Sequence, residues 1–264
     1  MKKRQKWGQN FLVDESLSEE IVESAEIGED DLVLEIGPGA GILTQLLLEK
    51  ARKVVALEID PDLCKPLQKR FGGFSNFELI QGDALKFDFG KVGSRFKTVS
   101  NLPYYAATHI LKRLIRYGSR IESMTVMLQK EVVDRLVAEP CKKEYSSLSV
   151  FVQYHCDVER ILEVPKTAFS PTPKIDSSVI CLKPLESPKV QVSDEKTFFK
   201  IVHASFLHKR KMLKNNLKEW KHFFKNEKEV IHVEGIDLNR RGETLSLSDF
   251  ARISNYIYEA EEAQ

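Results

Sequence analysis

The chain has 264 residues, of which 42% are hydrophobic and 30% charged, and its 40 Lys and Arg side chains nearly balance 39 Asp and Glu side chains. This composition supplies enough apolar side chains for a folded core and excludes a disordered chain, a collagen-like fibre and a disulfide scaffold. The formal net charge of +1 on its own argues against a nucleic-acid partner.

The charge, however, is distributed unevenly along the chain. Residues 1–13 carry four basic and no acidic side chains, and residues 196–228 carry ten basic and two acidic ones, whereas residues 14–195 have a net charge of −6 and residues 229–264 of −5. Two basic segments around an acidic body favour a polyanionic partner, although a lysine-rich helix with a merely solvated face remains the alternative. The candidate contacts are Lys2, Lys3, Arg4, Lys6, Lys209, Arg210, Lys211 and Lys214.

The sequence gives no sign of export, of a membrane segment or of a metal site. No apolar stretch follows the basic N-terminus, and no window approaches the ~18 apolar residues of a membrane span. The four cysteines are far apart without a C-x-x-C pair, and the histidines show no metal-ligand spacing. We therefore expect a cytoplasmic, metal-free protein with reduced cysteines.

Between residue 32 and about residue 130, short apolar runs alternate with amphipathic stretches. The predicted strands are Leu32–Ile36, Lys53–Glu58, Phe77–Ile80, Phe96–Asn101 and Ser123–Gln129. The predicted helices are Ile42–Lys50, Pro61–Phe71 and Thr108–Tyr117, the second with Asp60 as N-cap and Pro61 at its first position. Strands that alternate with helices predict a parallel sheet covered on both faces.

Further along, two strand candidates precede a helical tail. Ser147–Cys156 and Ile175–Lys183 have the composition of strands and would form an antiparallel edge of the sheet. After a linker at Pro184–Pro188 the pattern is helical. We place the domain boundary near residue 188, with domains at 1–188 and 189–264. The helical signals of the tail are Ser193 as a cap for a helix to about Leu207, Met212–Lys225, and a capping box formed by Ser246 and Asp249.

Three glycines follow the first predicted strand directly. Gly37, Gly39 and Gly41 let the backbone turn tightly and approach a ligand, although such a loop is also compatible with a simple turn. Glu58 ends the next strand, where an acid accepts ribose hydroxyls, and Asp83 follows the third strand, where it could bind an adenine amino group. Because the carboxyl ends of parallel strands bind ligands in open α/β sheets, these residues together predict a nucleoside-binding crevice.

The fourth strand is followed by Asn101-Leu102-Pro103-Tyr104. Asn and Pro favour turns, so a purely structural role is one interpretation. The other is catalytic: an aromatic amine such as adenine N6 is a poor nucleophile because its lone pair is delocalised into the ring. The Asn101 side-chain oxygen and the Leu102 carbonyl could accept its hydrogens and favour a pyramidal nitrogen, with Pro103 fixing the turn and Tyr104 stacking on the base.

These residues form part of an ordered set of motifs that closely resembles the KsgA-type ribosomal RNA adenine dimethyltransferases. The resemblance covers about residues 5–185 and extends more weakly to Arg241-Gly-Glu243-Thr-Leu-Ser246. The motifs are, in chain order, Gln9-Asn10-Phe11-Leu12, Glu35-Ile-Gly-Pro-Gly-Ala-Gly41, Glu58-Ile-Asp60, Gly82-Asp83-Ala84, Asn101-Leu-Pro-Tyr104 and Phe169-Ser-Pro-Thr-Pro-Lys-Ile-Asp-Ser177.

The resemblance implies a Rossmann-like S-adenosylmethionine-dependent methyltransferase domain with a small C-terminal all-α domain that docks RNA. It implies dimethylation of N6 of two adjacent adenines in a hairpin loop near the 3′ end of 16S-type RNA, within an assembling 30S-type particle, with S-adenosylhomocysteine as product and the target base flipped into the site. Phe169 would stack opposite Tyr104, and we expect a monomer. The implied cofactor residues are Asn10, Leu12, Gly37, Gly39, Glu58, Ile59, Asp83, Ala84 and Asn101.

One departure and several alternatives accompany this resemblance. Tyr105-Ala106-Ala107 stands where many relatives carry Asn-Ile-Ser, which affects the shape of the target pocket. The nearest alternative is a large-subunit RNA methyltransferase of the erythromycin-resistance type, against which Asn-Leu-Pro-Tyr-Tyr and Pro-Lys-Ile-Asp-Ser argue. A DNA adenine methyltransferase, a mainly non-catalytic RNA-binding assembly factor and an NAD-dependent oxidoreductase fit the motifs less well.

Overall fold

The computed structural model describes residues 9–218, 233 and 235–262. The chain forms two compact units. The first contains the chain up to Val133 together with Asp157–Glu186, and the second contains Asp134–Cys156 and the chain from Ser187 onward. The chain passes from the first unit to the second for the last time between Glu186 and Ser187, next to the predicted boundary at residue 188. The sequence did not indicate that residues 134–156 group with the C-terminal part.

A seven-stranded sheet forms the centre of the first unit, with the strand order β4-β3-β2-β5-β6-β9-β7. The strands from β2 to β6 pair in parallel, and β9 pairs antiparallel with β6. A separate pair, β1 and β8, is antiparallel. The strands are β1 (Phe11–Leu12), β2 (Leu32–Ile36), β3 (Lys53–Glu58), β4 (Phe77–Gln81), β5 (Phe96–Asn101), β6 (Ile121–Gln129), β7 (Cys156–Val164), β8 (Phe169–Ser170) and β9 (Ser177–Pro184).

Several helices begin at side chains that satisfy free backbone N–H groups. Asp60 caps α3 through Asp62 N at 3.0 Å, as predicted, and Ser246 and Asp249 form the predicted reciprocal box at α9. Asp194, not Ser193, caps α7. The helices are α1 (Glu15–Ser24), α2 (Ile42–Lys50), α3 (Pro61–Phe71), α4 (Ala107–Ile115), α5 (Lys130–Val137), α6 (Ser147–His155), α7 (Glu195–Leu207), α8 (Leu213–Lys218) and α9 (Leu247–Glu262).

The prediction of a strand at Ser147–Cys156 is wrong, because this segment is the helix α6. Its apolar, β-branched run favours a strand locally, but Ser146 and Ser149 form a capping box and the helix buries Val150 and Tyr154 in the aromatic core of the second unit. Tertiary packing thus overrides the local preference. The outer strand next to β9 is instead β7, the segment that follows α6.

Each unit has its own apolar core. In the first unit, Val33 and Val54 from the central strands pack with Leu47 from α2 and Phe71 from α3. In the second unit, aromatic side chains lie among aliphatic ones, and Tyr154 stacks on Phe198 with ring centroids 4.9 Å apart. No helix in the described part of the chain is long and apolar enough to cross a membrane.

Candidate active site

A cavity of about 290 Å³ lies at the carboxyl ends of β2, β3, β4 and β5. The strand order reverses at β2, which has β3 on one side and β5 on the other, and such switch points are where α/β sheets bind ligands. The cavity wall contains every residue predicted for the cofactor and for the Asn-Leu-Pro-Tyr segment: Asn10, Leu12, Gly37, Gly39, Glu58, Ile59, Asp83, Ala84, Asn101, Leu102, Pro103 and Tyr104.

The glycine loop between β2 and α2 requires glycine for both its backbone conformation and its packing. Gly37, Gly39 and Gly41 have φ angles of 69°, 60° and 84°, in the left-handed region that side chains disfavour. A Cβ atom at Gly39 would lie 2.9 Å from the ring of Phe11, and one at Gly41 would lie 2.5 Å from the ring of Phe71. The loop therefore presents bare backbone to the cavity.

Glu58, at the end of β3, is a buried carboxylate. Only 3% of the residue is exposed, and its Oε1 atom accepts a hydrogen bond from Asp60 N at 2.9 Å. Burial raises the pKa of Glu58 above its ordinary value, and N–H groups of Asp60, Gly39 and Ile59 offset this only in part. The Glu58 carboxylate is thus held rigidly next to the glycine loop, where hydroxyl donors of a ligand would stabilise its charge.

Asp83 occupies the equivalent position after β4. Its Oδ1 atom accepts a hydrogen bond from Leu85 N at 2.8 Å, and its carbonyl accepts one from Phe87 N at 2.8 Å. These bonds fix the turn and leave the second carboxylate oxygen of Asp83 for a ligand donor.

Glu35 is a site residue to which the sequence assigned no role, although it belongs to the glycine motif. It is 1% exposed, lines the cavity, and accepts a hydrogen bond from the Thr44 hydroxyl at 2.6 Å. Burial raises the pKa of Glu35 to about 8 despite that hydrogen bond, and the nearby charge of Glu58 adds to the rise. A cationic ligand group in the cavity would favour the ionised form of Glu35.

Asn101 ends β5, where the chain turns into the cavity wall. In the described part of the chain its side-chain amide makes no hydrogen bond within the protein, so its oxygen is available to a ligand. The following turn is fixed, because Leu102 N donates to Met127 O at 3.2 Å and Ala106 N to Pro103 O at 3.0 Å. The Tyr104 hydroxyl lies 2.6 Å from Ser177 Oγ.

Tyr105, which departs from the pattern of many relatives, also lines the cavity. The residue is 54% exposed. Burial raises the pKa of its phenol, and the carboxylates of Asp83 and Glu58 raise it further. Its ring therefore lies at the open side of the cavity near both acids. In the sequence, this position of Tyr105 was indicated only by its departure from the residue that many relatives carry.

Phe169 is not on the cavity wall. The residue is 2% exposed and pairs with Leu12 in the β1–β8 ladder, inside the core of the first unit. Phe169 instead supports β1, whose neighbouring residues Asn10 and Phe11 form part of the cavity wall.

Three of the four candidate RNA contacts of the second unit lie in a turn, and the fourth lies in the helix that follows it. Lys209, Arg210 and Lys211 follow α7 and are exposed, and Lys214 is partly buried in α8. The buried Asn216 fixes this turn through Nδ2, which donates to the carbonyls of Ser205 and His208 at 3.0 and 3.2 Å. The predicted contacts Lys2, Lys3, Arg4 and Lys6 lie outside the described residues, as do residues 219–225 of the predicted helix Met212–Lys225.

Among the residues that the structure describes, no group of three or more His, Cys, Asp or Glu side chains is arranged to hold a metal ion. No disulfide links the four cysteines, Cys64, Cys141, Cys156 and Cys181, all of which lie in the described part of the chain.

The fold and this site define an α/β methyltransferase of Rossmann-like architecture. Comparison with known proteins identifies the family within this class. Residues 1–259 match the family described as ribosomal RNA adenine dimethylase. The chain belongs to this family and is a methyltransferase.

Its relatives include proteins of high identity and nearly full coverage. It is 46% identical over 254 residues to Ribosomal RNA small subunit methyltransferase A of Clostridium acetobutylicum, with 95% of this chain and 92% of the relative covered. It is 47% identical to the protein of the same name from Clostridium botulinum, with coverages of 96% and 93%.

Two solved structures are similar over almost the whole chain. A dimethyladenosine transferase from Plasmodium falciparum is 26% identical, with a TM-score of 0.77 and coverages of 96% of this chain and 98% of that one. The 23S rRNA methyltransferase ErmE is 24% identical, with a TM-score of 0.72 and coverages of 94% and 100%. The second likeness concerns the fold alone.

Proposed function

We propose that this protein transfers methyl groups from S-adenosylmethionine to N6 of two adjacent adenines in a hairpin loop near the 3′ end of 16S-type small-subunit RNA. The product from the cofactor is S-adenosylhomocysteine, and the reaction belongs to the assembly of a 30S-type particle in the cytoplasm. The observation that carries the proposal is the Asn101 amide, which makes no hydrogen bond within the described part of the chain and lies on the wall of a cavity that also contains Glu58, Asp83 and the bare glycine loop.

The residues of the cavity fit the cofactor. Glu58 offers a buried carboxylate for ribose hydroxyls, Asp83 a carboxylate oxygen for an adenine amino group, and Gly39 a position at which no side chain blocks the ligand. The cationic part of the molecule would favour ionisation of the buried Glu35 carboxyl, whose pKa burial raises to about 8, and would then lie beside a negative charge. When bound, S-adenosylmethionine supplies an electrophilic methyl group.

The Asn-Leu-Pro-Tyr loop would prepare the acceptor nitrogen. The Asn101 oxygen and the Leu102 carbonyl accept the N6 hydrogens of the target adenine, which favours the pyramidal geometry in which the nitrogen lone pair is available. The Tyr104 ring stacks on the base and replaces part of the stacking that the base loses when it flips out. The N6 proton leaves after transfer, so the loop needs no general base.

Small-subunit RNA is favoured as substrate over large-subunit RNA by the sequence comparison rather than by the fold. Structures of both an adenosine dimethyltransferase and a 23S rRNA methyltransferase match the chain at similar TM-scores. Relatives named small subunit methyltransferase A are 46–47% identical over 254–255 residues, against 24% for ErmE.

A single assay separates the candidate substrates. The protein is incubated with methyl-labelled S-adenosylmethionine and, in separate reactions, undermethylated small subunits, large subunits, naked RNA and DNA. Dimethyladenine confined to the small-subunit reaction supports the proposal. Labelling of large subunits or DNA instead contradicts the substrate, and absence of labelling in every reaction contradicts the activity.

We further propose that the basic turn after α7 contacts the RNA backbone. Lys209, Arg210 and Lys211 are exposed on a turn that Asn216 fixes, and cations held in this way displace counterions from phosphates. Changing all three to Glu is expected to weaken small-subunit binding and to lower the slope of log affinity against log salt by at least roughly two. Affinity for S-adenosylmethionine should not change.

A matched control separates a docking site from general attraction. Lys50, Lys65 and Lys69 are equally exposed basic residues of the first unit to which no role is assigned. Their triple change to Glu alters the net charge by the same amount. Equal weakening of subunit binding by both triple variants would contradict the docking role of the turn.

A further inference from the structure

The hydrogen bond between Tyr104 and Ser177 connects two motifs that are 73 residues apart in the chain. Tyr104 lies on the cavity wall, whereas Ser177 is fully buried and is not part of that wall. Ser177 therefore cannot touch a ligand in the cavity, and any effect it has on the reaction must pass through the Tyr104 hydroxyl.

Strand pairing and the hydrogen bonds of the preceding residue fix the backbone of Ser177. It is the first residue of β9, in register with Gln129 at the end of β6. The preceding Asp176 accepts a hydrogen bond from Lys130 N at 3.1 Å through its carbonyl and one from Lys166 N at 2.8 Å through Oδ1. The serine hydroxyl thus sits on a rigid strand end, which makes it a suitable anchor for a side chain on a neighbouring loop.

Tyr104, in contrast, lies on a loop between β5 and α4 that has no regular structure of its own. Two backbone hydrogen bonds, at Leu102 and Ala106, fix the loop but not the tyrosine ring. A half-buried aromatic side chain on such a loop has more than one rotamer available. The 2.6 Å bond to Ser177 selects one rotamer and holds the ring at the cavity wall.

We propose that Ser177 is a positioning residue for methyl transfer, which holds the Tyr104 ring in the orientation that stacks on the flipped adenine. This inference rests on the proposed function, because it needs a base in the cavity. Ser177, the last residue of the Phe169–Ser177 motif, is then the residue of that motif that acts on the site. Phe169 supports β1, and Ser177 sets the ring of Tyr104.

The neighbouring residue supplies a matched control. Ser178 is on the same strand and is also fully buried, but within the described part of the chain its hydroxyl has no hydrogen-bond partner. Ser177→Ala and Ser178→Ala remove the same atom from adjacent buried positions. Only the first change releases the Tyr104 hydroxyl.

The experiment is a double-mutant cycle of Ser177→Ala and Tyr104→Phe, with methyl transfer to undermethylated small subunits and unfolding by denaturant as readouts. Each single variant is expected to lower kcat about three- to tenfold, with an unchanged Kd for S-adenosylmethionine. In the Tyr104→Phe background Ser177→Ala should have no further effect on kcat. Ser178→Ala should keep the kcat of the unmodified protein.

Each contrary result overturns a different statement. Additive losses of kcat, or a Ser177→Ala variant that loses stability but keeps its kcat, would contradict the positioning role. An unmodified protein that methylates none of the substrates would contradict the proposed function instead. In that event the unfolding cycle still measures the coupling of the two hydroxyls, and a coupling of zero overturns the inference without any catalytic readout.

Discussion

The two ends of the parallel sheet in the first unit differ in how their charged groups are satisfied. At the amino end, Lys97 Nζ lies 2.8 Å from Asp31 Oδ2 and 2.7 Å from the carbonyl of Glu26. At the carboxyl end, Glu35 and Glu58 are almost fully buried, and no cation of the described residues forms an ion pair with either of them. The amino end therefore contains an ion pair that stabilises the fold. The carboxyl end contains buried carboxyl groups whose ionised forms a bound ligand would stabilise.

The pKa values of these acids shift in opposite directions at the two ends of the sheet. Burial alone would raise the pKa of Asp31, but hydrogen bonds from Gly28 and Lys97 and the charge of Lys97 hold it below its ordinary value. Burial raises the pKa of both Glu35 and Glu58. Ionisation of Asp31 therefore stabilises the fold, whereas ionisation of Glu35 and Glu58 opposes it.

The largest effect is expected at the carboxyl end from Asn101→Ala. Loss of the amide oxygen removes an acceptor that acts on the target nitrogen, and turnover should fall by at least roughly 100-fold. Binding of S-adenosylmethionine, measured by calorimetry, should survive at reduced strength. Near-normal turnover would contradict the role of the amide.

Asn76→Ala is the matched control for that change. The Asn76 side chain donates to the carbonyls of Leu48 and Ala51 at 3.0 and 3.1 Å, away from the cavity wall. Its loss should lower the free energy of unfolding while the folded protein keeps its turnover.

A smaller effect, measured on stability in the absence of the cofactor, is expected from Glu35→Gln. Because the folded state raises the pKa of Glu35 from an ordinary 4.5 to about 8, it binds more protons than the unfolded state between these values. The contribution of this residue to the free energy of unfolding therefore falls as pH rises through that window.

Glu35→Gln should remove this decline, by an amount on the order of a few kcal/mol at pH 8. Denaturant unfolding of both proteins between pH 5 and pH 8 measures the difference. Glu78→Gln, at a half-exposed residue paired with Lys53, is the control for removal of a carboxylate outside the cavity. Parallel pH curves for the unmodified protein and Glu35→Gln would contradict the buried-carboxyl assignment.

A smaller effect still is expected at the amino end from Lys97→Met. The change removes a mostly buried ion pair and should lower the free energy of unfolding by about 1 kcal/mol, with turnover unchanged. The contribution of Asp31 should be present above its ordinary pKa and be lost as pH falls through its lowered pKa.

Lys53→Met tests whether burial matters for this pair. The Lys53–Glu78 pair has an N–O distance of 2.6 Å, but both side chains are more than 40% exposed. Its loss should cost less than about 0.5 kcal/mol. If the two lysine changes have equal effects, partial burial contributes nothing to the amino-end pair.

The strands and the cavity were accessible from the sequence because their signals are local. The bounds of β2, β3, β5, α2 and α3 agree with the prediction, since each element is a short periodic run between Gly, Asp or Pro residues. The residues of the cavity wall could be named in advance because parallel strands must place their carboxyl ends at one edge.

The features that escaped prediction depend on contacts between distant residues. The β1–β8 ladder, which pairs Phe169 with Leu12, joins residues 157 positions apart. The Tyr104–Ser177 bond and the burial of Glu35 are set by tertiary packing. The strand-like run Ser147–Cys156 becomes a helix because aromatic partners from α7 surround it, and these partners have no signal in the run itself.

The division of the second unit into two chain segments has a consequence for synthesis. Tyr145, Val150 and Tyr154 emerge from the ribosome about 45–110 residues before the partners in α7 and α9 with which they share a core. At elongation rates of roughly 5–20 residues per second, these apolar side chains remain without their core partners for several seconds. The nascent chain is therefore most exposed to aggregation after α6 has been made and before α9 is complete.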